Sequence, residues 1–305
     1  MPYTNVFRVP HFYTLTEGAA RTSKTIVFVH GWLLSQCYWQ PVIQRLQDNF
    51  QCLSYDLRGF GSSNSQLDER SDDVDGGESQ PGDYSLAAYA HDLGRLLETL
   101  DLKTVWLVGH SWGGSVALWA AKLFPQRVAG VICVNAGGGV YLPDEFKRFR
   151  QAGQQIVRWR PAWLASFPFI AHVFTRLMVF KSLAITWGQQ RVTDLLAAHE
   201  EAAMGALLAS TTEAEVHLLP RVVAGLEQPV YFIAGAEDTV MEEKYVRHLA
   251  SFHKLFDSPQ GNVSVLSQCG HMAMVEQPRA LATMIQAILQ SDPLSDETFL
   301  QPVLS

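Results

Sequence analysis

Short apolar runs recur along the chain with amphipathic stretches between them. Thr25–His30, Thr104–Val108, Val128–Val134, Pro229–Ala234 and Asn262–Leu266 are rich in Val, Ile, Leu and Phe, the pattern of strands buried on both faces, and Gln51–Tyr55 reads as a further strand. Helical spacing fills the intervals: Tyr38–Leu46, Leu86–Leu100 with Ser85 as N-cap, the stretch after Ser111 to Leu123, and segments starting at Glu242 and Val275. Two weaker runs, Val6–Val9 and His11–Thr16, alternate as edge strands do. Strands alternating with helices predict an α/β fold with a mostly parallel central sheet and helices on both faces.

Two stretches break this rhythm. Residues 62–83 are dense in Asp, Gly and Ser and offer almost nothing to bury, which predicts an acidic, flexible surface loop. Asp72-Asp73-Val74-Asp75-Gly76 within it lacks the ligand spacing and closing Glu of a calcium loop, so no metal site is expected there. From 137 to 220 helical patterns with large aromatics replace the alternation, predicting a helical cap inserted into a core made of 1–136 and 221–305.

Charge narrows the functional classes. The chain has 305 residues with 23 Lys and Arg against 30 Asp and Glu, enough length for one large core plus an insertion. Most of its net −7 comes from the acidic loop, since Asp68–Asp83 carries seven carboxylates and one arginine. There is no basic stripe, so nucleic-acid binding is not expected. The four cysteines are widely spaced without a C-x-x-C pair, which reads as reduced thiols and no metal or organic cofactor. Met1–Pro10 lacks a secretory pattern, and Pro168, His172 and Arg176 interrupt the apolar stretch Pro161–Phe180. The expectation is a cytoplasmic protein, with peripheral membrane association as a further reading.

Candidate chemistry lies where apolar strands end. In Gly109-His110-Ser111-Trp112-Gly113 a strand turns directly into a helix at a serine. A G-x-S-x-G elbow needs that context, with glycines at the flanking positions because the turn brings chain segments into contact there. Ser111 is therefore the candidate nucleophile, with Gly109 and Gly113 shaping the elbow. Asp238, after the run Phe232–Gly235, is the candidate acid, with Glu237 adjacent as a chemical competitor. His271, past the last strand, is the candidate general base; His110 reads as packing or support of the oxyanion region. The backbone N–H groups of Trp112 and Trp32 are the candidate oxyanion donors, leaving the indoles free to line an acyl pocket.

The elbow, His30-Gly31, Asp56-Leu57-Arg58-Gly59-Phe60-Gly61-Ser62-Ser63 and Gly270-His271 together resemble the α/β-hydrolase superfamily, in its lid-bearing branch. That resemblance implies a triad in the order serine, acid, histidine, and a loop-ordering role for Asp56 and Arg58. Some members place the acid after the preceding strand, where this chain reads Asn135-Ala136-Gly137 and offers no carboxylate. Epoxide hydrolases and haloalkane dehalogenases of the branch carry aspartate at the elbow, so serine points to ester cleavage through an acyl-enzyme. Acyl transfer to another alcohol and cleavage of a C–C bond use the same groups, and a ligand-binding receptor with slow turnover is the alternative of another class.

The cap suggests a hydrophobic partner molecule. Between Lys147 and Arg191 there are eight Lys and Arg, no Asp or Glu, and many aromatics. The expected substrate is a lipophilic ester, an acyl lipid or a prenyl- or phytyl-type ester, with peripheral membrane contact through the cap as one reading and ordinary packing as the other.

Overall fold

A computed structural model describes residues 2–17, 24–64, 82–138 and 143–291. Most of the acidic segment 62–83, including the calcium-like residues, lies outside them.

Eight strands form one sheet: β1 (Tyr3–Val6), β2 (Val9–Leu15), β3 (Thr25–Val29), β4 (Gln51–Tyr55), β5 (Val105–His110), β6 (Val128–Val134), β7 (Val230–Gly235) and β8 (Val263–Leu266), in the order β1-β2-β4-β3-β5-β6-β7-β8. β1 and β2 pair antiparallel with each other and β2 with β4, while every other pairing is parallel. The core helices are α1 (Gln40–Leu46), α2 (Leu86–Thr99) and α3 (Trp112–Leu123). Between β6 and β7 come α4 (Pro143–Arg158), α5 (Pro168–Phe174), α6 (Ile185–Ala197), α7 (Glu200–Ser210) and α8 (Glu213–Ala224), and then α9 (Glu243–Ala250), α10 (Ala273–Glu276) and α11 (Pro278–Ser291) complete the chain.

The period of two explains the layers. Val27 and Val29 of β3 join Leu107, Val131 and Phe232 in a cluster closed by α2, α3 and α9. Ile26 and Phe28 point the other way, joining Val108, Ile132 and Ile233 under α1 and α11. Each central strand thus contributes apolar side chains to two cores, so its sequence reads as continuously apolar.

Two expected boundaries differ. The run Val6–Val9 is not a strand: Phe7 and Arg8, both at positive φ (47° and 68°), form the two-residue turn that joins β1 to β2. The expected cap boundary at 220 falls inside α8, which continues through Pro220 and buries Leu219, Val222 and Val223 in the core.

The inserted helices meet the core through a buried polar seam. Ser35 Oγ donates to Asp194 Oδ2 of α6 (3.0 Å), and Gln190 Nε2 donates to Asp194 Oδ1 (3.0 Å). Burial pushes the Asp194 carboxyl up to about 6 from an ordinary 3.8, despite hydrogen bonds that favour its ionised form. The folded state therefore holds a proton that the unfolded chain has released across that window, and stability falls as pH rises from 3.8 to 6. Asparagine mimics the protonated form. Asp194→Asn is expected to gain on the wild type by up to about 3 kcal/mol between about pH 4 and pH 7.5, read from urea melts at each pH. Parallel pH curves for the two proteins would contradict the penalty.

Candidate active site

β5 runs without a break into Ser111, whose φ of 51° and ψ of −123° place it in a region that side-chain-bearing residues rarely occupy. The surroundings enforce the turn. A Cβ at Gly113 would collide with the carbonyl oxygens of His30 and Val29, and one at Gly109 with the carbonyl of Gly113. Ser111 thus stands at the carboxyl edge of the sheet, half-buried, just ahead of the first turn of α3.

Asp238 follows β7 and His271 follows β8, and the fold brings both to Ser111. His271 Nδ1–H donates to Asp238 Oδ2 at 2.8 Å, and His271 Nε2 lies 3.0 Å from Ser111 Oγ. A carboxylate only accepts, so the proton sits on Nδ1 and Nε2 is left to accept from the serine hydroxyl. Asp238 is buried whereas Glu237 is exposed, which separates the two competing carboxylates. Burial alone would raise the Asp238 carboxyl. The adjacent His271 and the N–H groups of Met241 and Val240, which donate to Oδ1 at 2.9 and 2.8 Å, hold it below the ordinary carboxylate range instead.

Asn135, at the end of β6 with φ of 50°, donates from Nδ2 to Asp238 Oδ2 at 2.8 Å and to the Gly270 carbonyl at 3.2 Å. The sequence offers no carboxylate at this position. The amide at that position instead donates to the carboxylate of Asp238, which follows the next strand.

Two further histidines, His110 and His30, are buried beside the site. His110 Nε2–H donates to the His271 carbonyl at 2.8 Å, its ring centroid 4.8 Å from that of His271. Burial, followed by the neighbouring His271, lowers His110 to about 3, so it stays neutral. His30 accepts from the Leu57 amide at Nε2 (3.0 Å) and donates from Nδ1 to the Gly31 carbonyl (2.8 Å), fixing the turn that presents Trp32. Burial lowers His30 to about 4.

Asp56 accepts from the amides of Gln36 (2.6 Å) and Ser62 (2.8 Å), and Arg58 pairs with Asp92 at 2.9 Å. Both therefore order the loop after β4. Burial pushes the Cys37, Cys52 and Cys269 thiols up to about 12, so none of these competes as a nucleophile near neutral pH.

The backbone N–H groups of Trp32 and Trp112 find no acceptor among the described residues, and Trp112 opens α3, where amide donors and the positive end of the helix dipole coincide. Their indoles are less free than the sequence suggested. Trp32 Nε1 donates to the Ala203 carbonyl of α7 at 2.9 Å, and Trp112 packs edge-on against Tyr89 at 4.8 Å. Among the described residues no group of three or more His, Cys, Asp or Glu is placed to hold a metal ion.

A serine on a strained strand-to-helix turn, a histidine and a buried acid, all at the carboxyl edge of a parallel sheet, define a class of hydrolytic folds. The family model described as alpha/beta hydrolase fold matches residues 24–278, and this chain belongs to that family. A protein of Mycobacterium tuberculosis is 26% identical over 301 residues, covering 95% of this chain and 82% of its own length. The monoacylglycerol lipase abhd6-A of Xenopus laevis is 23% identical over 293 residues, covering 92% of this chain and 79% of its own. Among solved structures, a thermophilic esterase from Thermogutta terrifontis superposes with a TM-score of 0.72 at 22% identity, covering 95% of this chain and 98% of that one. At that identity the superposition speaks to the fold alone.

Proposed function

We propose that this chain hydrolyses a lipophilic carboxylic ester through an acyl-enzyme on Ser111. The observation that carries this reading is the unbroken hydrogen-bonded chain from Ser111 Oγ through His271 to Asp238. His271 Nε2 takes the serine proton as Oγ attacks the ester carbonyl, then returns it to the leaving alcohol; a water, activated at the same nitrogen, releases the acid. Asp238 holds the tautomer and the developing imidazolium. The amides of Trp32 and Trp112 receive the oxyanion. An elbow aspartate, the nucleophile of epoxide hydrolases, is replaced here by serine, which favours acyl chemistry.

The large apolar side chains carried by the inserted segment, among them Trp159, Trp163, Phe167 and Phe169, support a long acyl chain or a prenyl-type alcohol. Fluorophosphonate labelling tests the nucleophile, and a series of p-nitrophenyl esters from acetate to palmitate tests the pocket. Labelling at Ser111 with kcat/KM rising toward the longer chains is expected. Absent labelling, or a rate that falls steadily beyond butyrate, contradicts the nucleophile or the lipophilic substrate respectively.

A further inference from the structure

All but two of the large apolar side chains exposed among the described residues, Tyr3 and Phe252 being the others, lie between Phe149 and Ile185. Trp159 is 77% exposed, Phe169 62% and Trp163 57%. The rings of Trp163, Phe167 and Phe169 touch in series at centroid distances of 5.6 and 5.9 Å, so they form a continuous apolar surface turned to solvent. A patch of this kind signals an interaction site.

The cations of the same segment fall into two groups. Arg150, Arg160 and Arg191 turn inward and donate to backbone carbonyls: Arg150 to Leu208, Arg160 to Leu195 and Arg191 to Phe174. Lys147, Arg148, Arg158, Arg176 and Lys181 remain exposed, and no Asp or Glu occurs from 147 to 191; a carboxylate that reaches the segment from outside, Glu276, accepts from the backbone amides of Phe180 and Lys181. No helix among the described residues is long and apolar enough to cross a membrane.

We infer that this face of the inserted helices docks on an anionic lipid bilayer, its aromatic rings at headgroup depth and its cations against the lipid phosphates. Charge complementarity selects this occupant. A second copy of the chain meeting the patch through a two-fold axis would set cations against cations, whereas an anionic surface neutralises them. The face also adjoins the site. The Met178 carbonyl accepts the His271 backbone N–H at 2.8 Å, and Gly270 lies directly under the backbone of Met178–Phe180. Docking there places the bilayer beside the loop that carries His271, the place where a lipophilic ester would be delivered.

Vesicle flotation tests the inference without any need for turnover, using the 305-residue chain carrying Ser111→Ala. Expected is flotation with phosphatidylcholine vesicles containing about one third phosphatidylglycerol, weak flotation with phosphatidylcholine alone, and release at high salt. Trp159→Ser/Trp163→Ser and Arg148→Glu/Arg158→Glu should each weaken binding at least about tenfold. All four positions are exposed, and retained fluorophosphonate labelling of the same changes in a Ser111 background verifies the fold. Equal flotation on both vesicle types, none on either, or a dimer in analytical ultracentrifugation that the Trp changes abolish would overturn it. Loss of ester turnover with flotation intact would count against the proposed function only.

Discussion

Ser111→Ala is expected to lower kcat/KM for a p-nitrophenyl ester by about 10⁴- to 10⁶-fold and to abolish fluorophosphonate labelling. The alanine removes the oxygen proposed to attack and leaves the Trp32 and Trp112 amides, so on this proposal the residual rate reports what the oxyanion donors supply alone. The same position offers a stability readout that no surface serine would give. With φ of 51° and ψ of −123°, Ser111 is held in a conformation that glycine reaches far more readily. Ser111→Gly should therefore be equally inactive yet more stable than wild type, by about 1 to 3 kcal/mol in urea melts. An active Ser111→Ala protein would remove Ser111 as nucleophile. A Ser111→Gly protein less stable than wild type would remove the strain.

The central strands were legible in the sequence because each is buried on both faces, so no polar side chain interrupts Ile26–Val29 or Val128–Val134. The elbow was legible for a local reason: Gly109, Ser111 and Gly113 meet requirements set within five residues. What could not be read was set by contacts distant in sequence or by residues lacking the usual signature. Phe7 and Arg8 make a hairpin turn with positive φ but are neither Gly nor Asn, so the run around them looked like a strand. The cap was expected to end at 220, yet tertiary packing of Leu219, Val222 and Val223 carries α8 through Pro220 into the core. The bond from Ser35 to Asp194 joins residues far apart in the chain, and so does that from Asn135 to Asp238. Asn135 was visible as an absent acid, but its use as a donor depends on the ends of β6 and β7 lying side by side.

Asp238→Asn is expected to lower kcat about 10⁴-fold with little change in fold, and the hydrogen bonds around it give the reason. Oδ1 accepts from the Val240 and Met241 amides, so the NH2 of an asparagine cannot sit there. It takes the place of Oδ2, opposite His271 Nδ1, where the other donor is the Asn135 side-chain amide, which can rotate to present its own oxygen as the two backbone amides cannot. An NH2 there donates to the imidazole, so Nδ1 must be bare and the proton moves to Nε2. In that tautomer His271 has no lone pair for the Ser111 proton. Asn135 donates to the same Oδ2, and its loss should act differently. Asn135→Ala removes one donor while Val240, Met241 and His271 still hold the carboxylate, leaving the tautomer intact. Losing one hydrogen bond to a charged acceptor, about 1.5 kcal/mol, corresponds to roughly a tenfold fall in kcat. Burst and steady-state kinetics on one ester would compare the two variants. Comparable losses would mean that Asn135 is as necessary as the acid itself, whereas an undiminished Asp238→Asn rate would show that His271 does not depend on Asp238 for its proton.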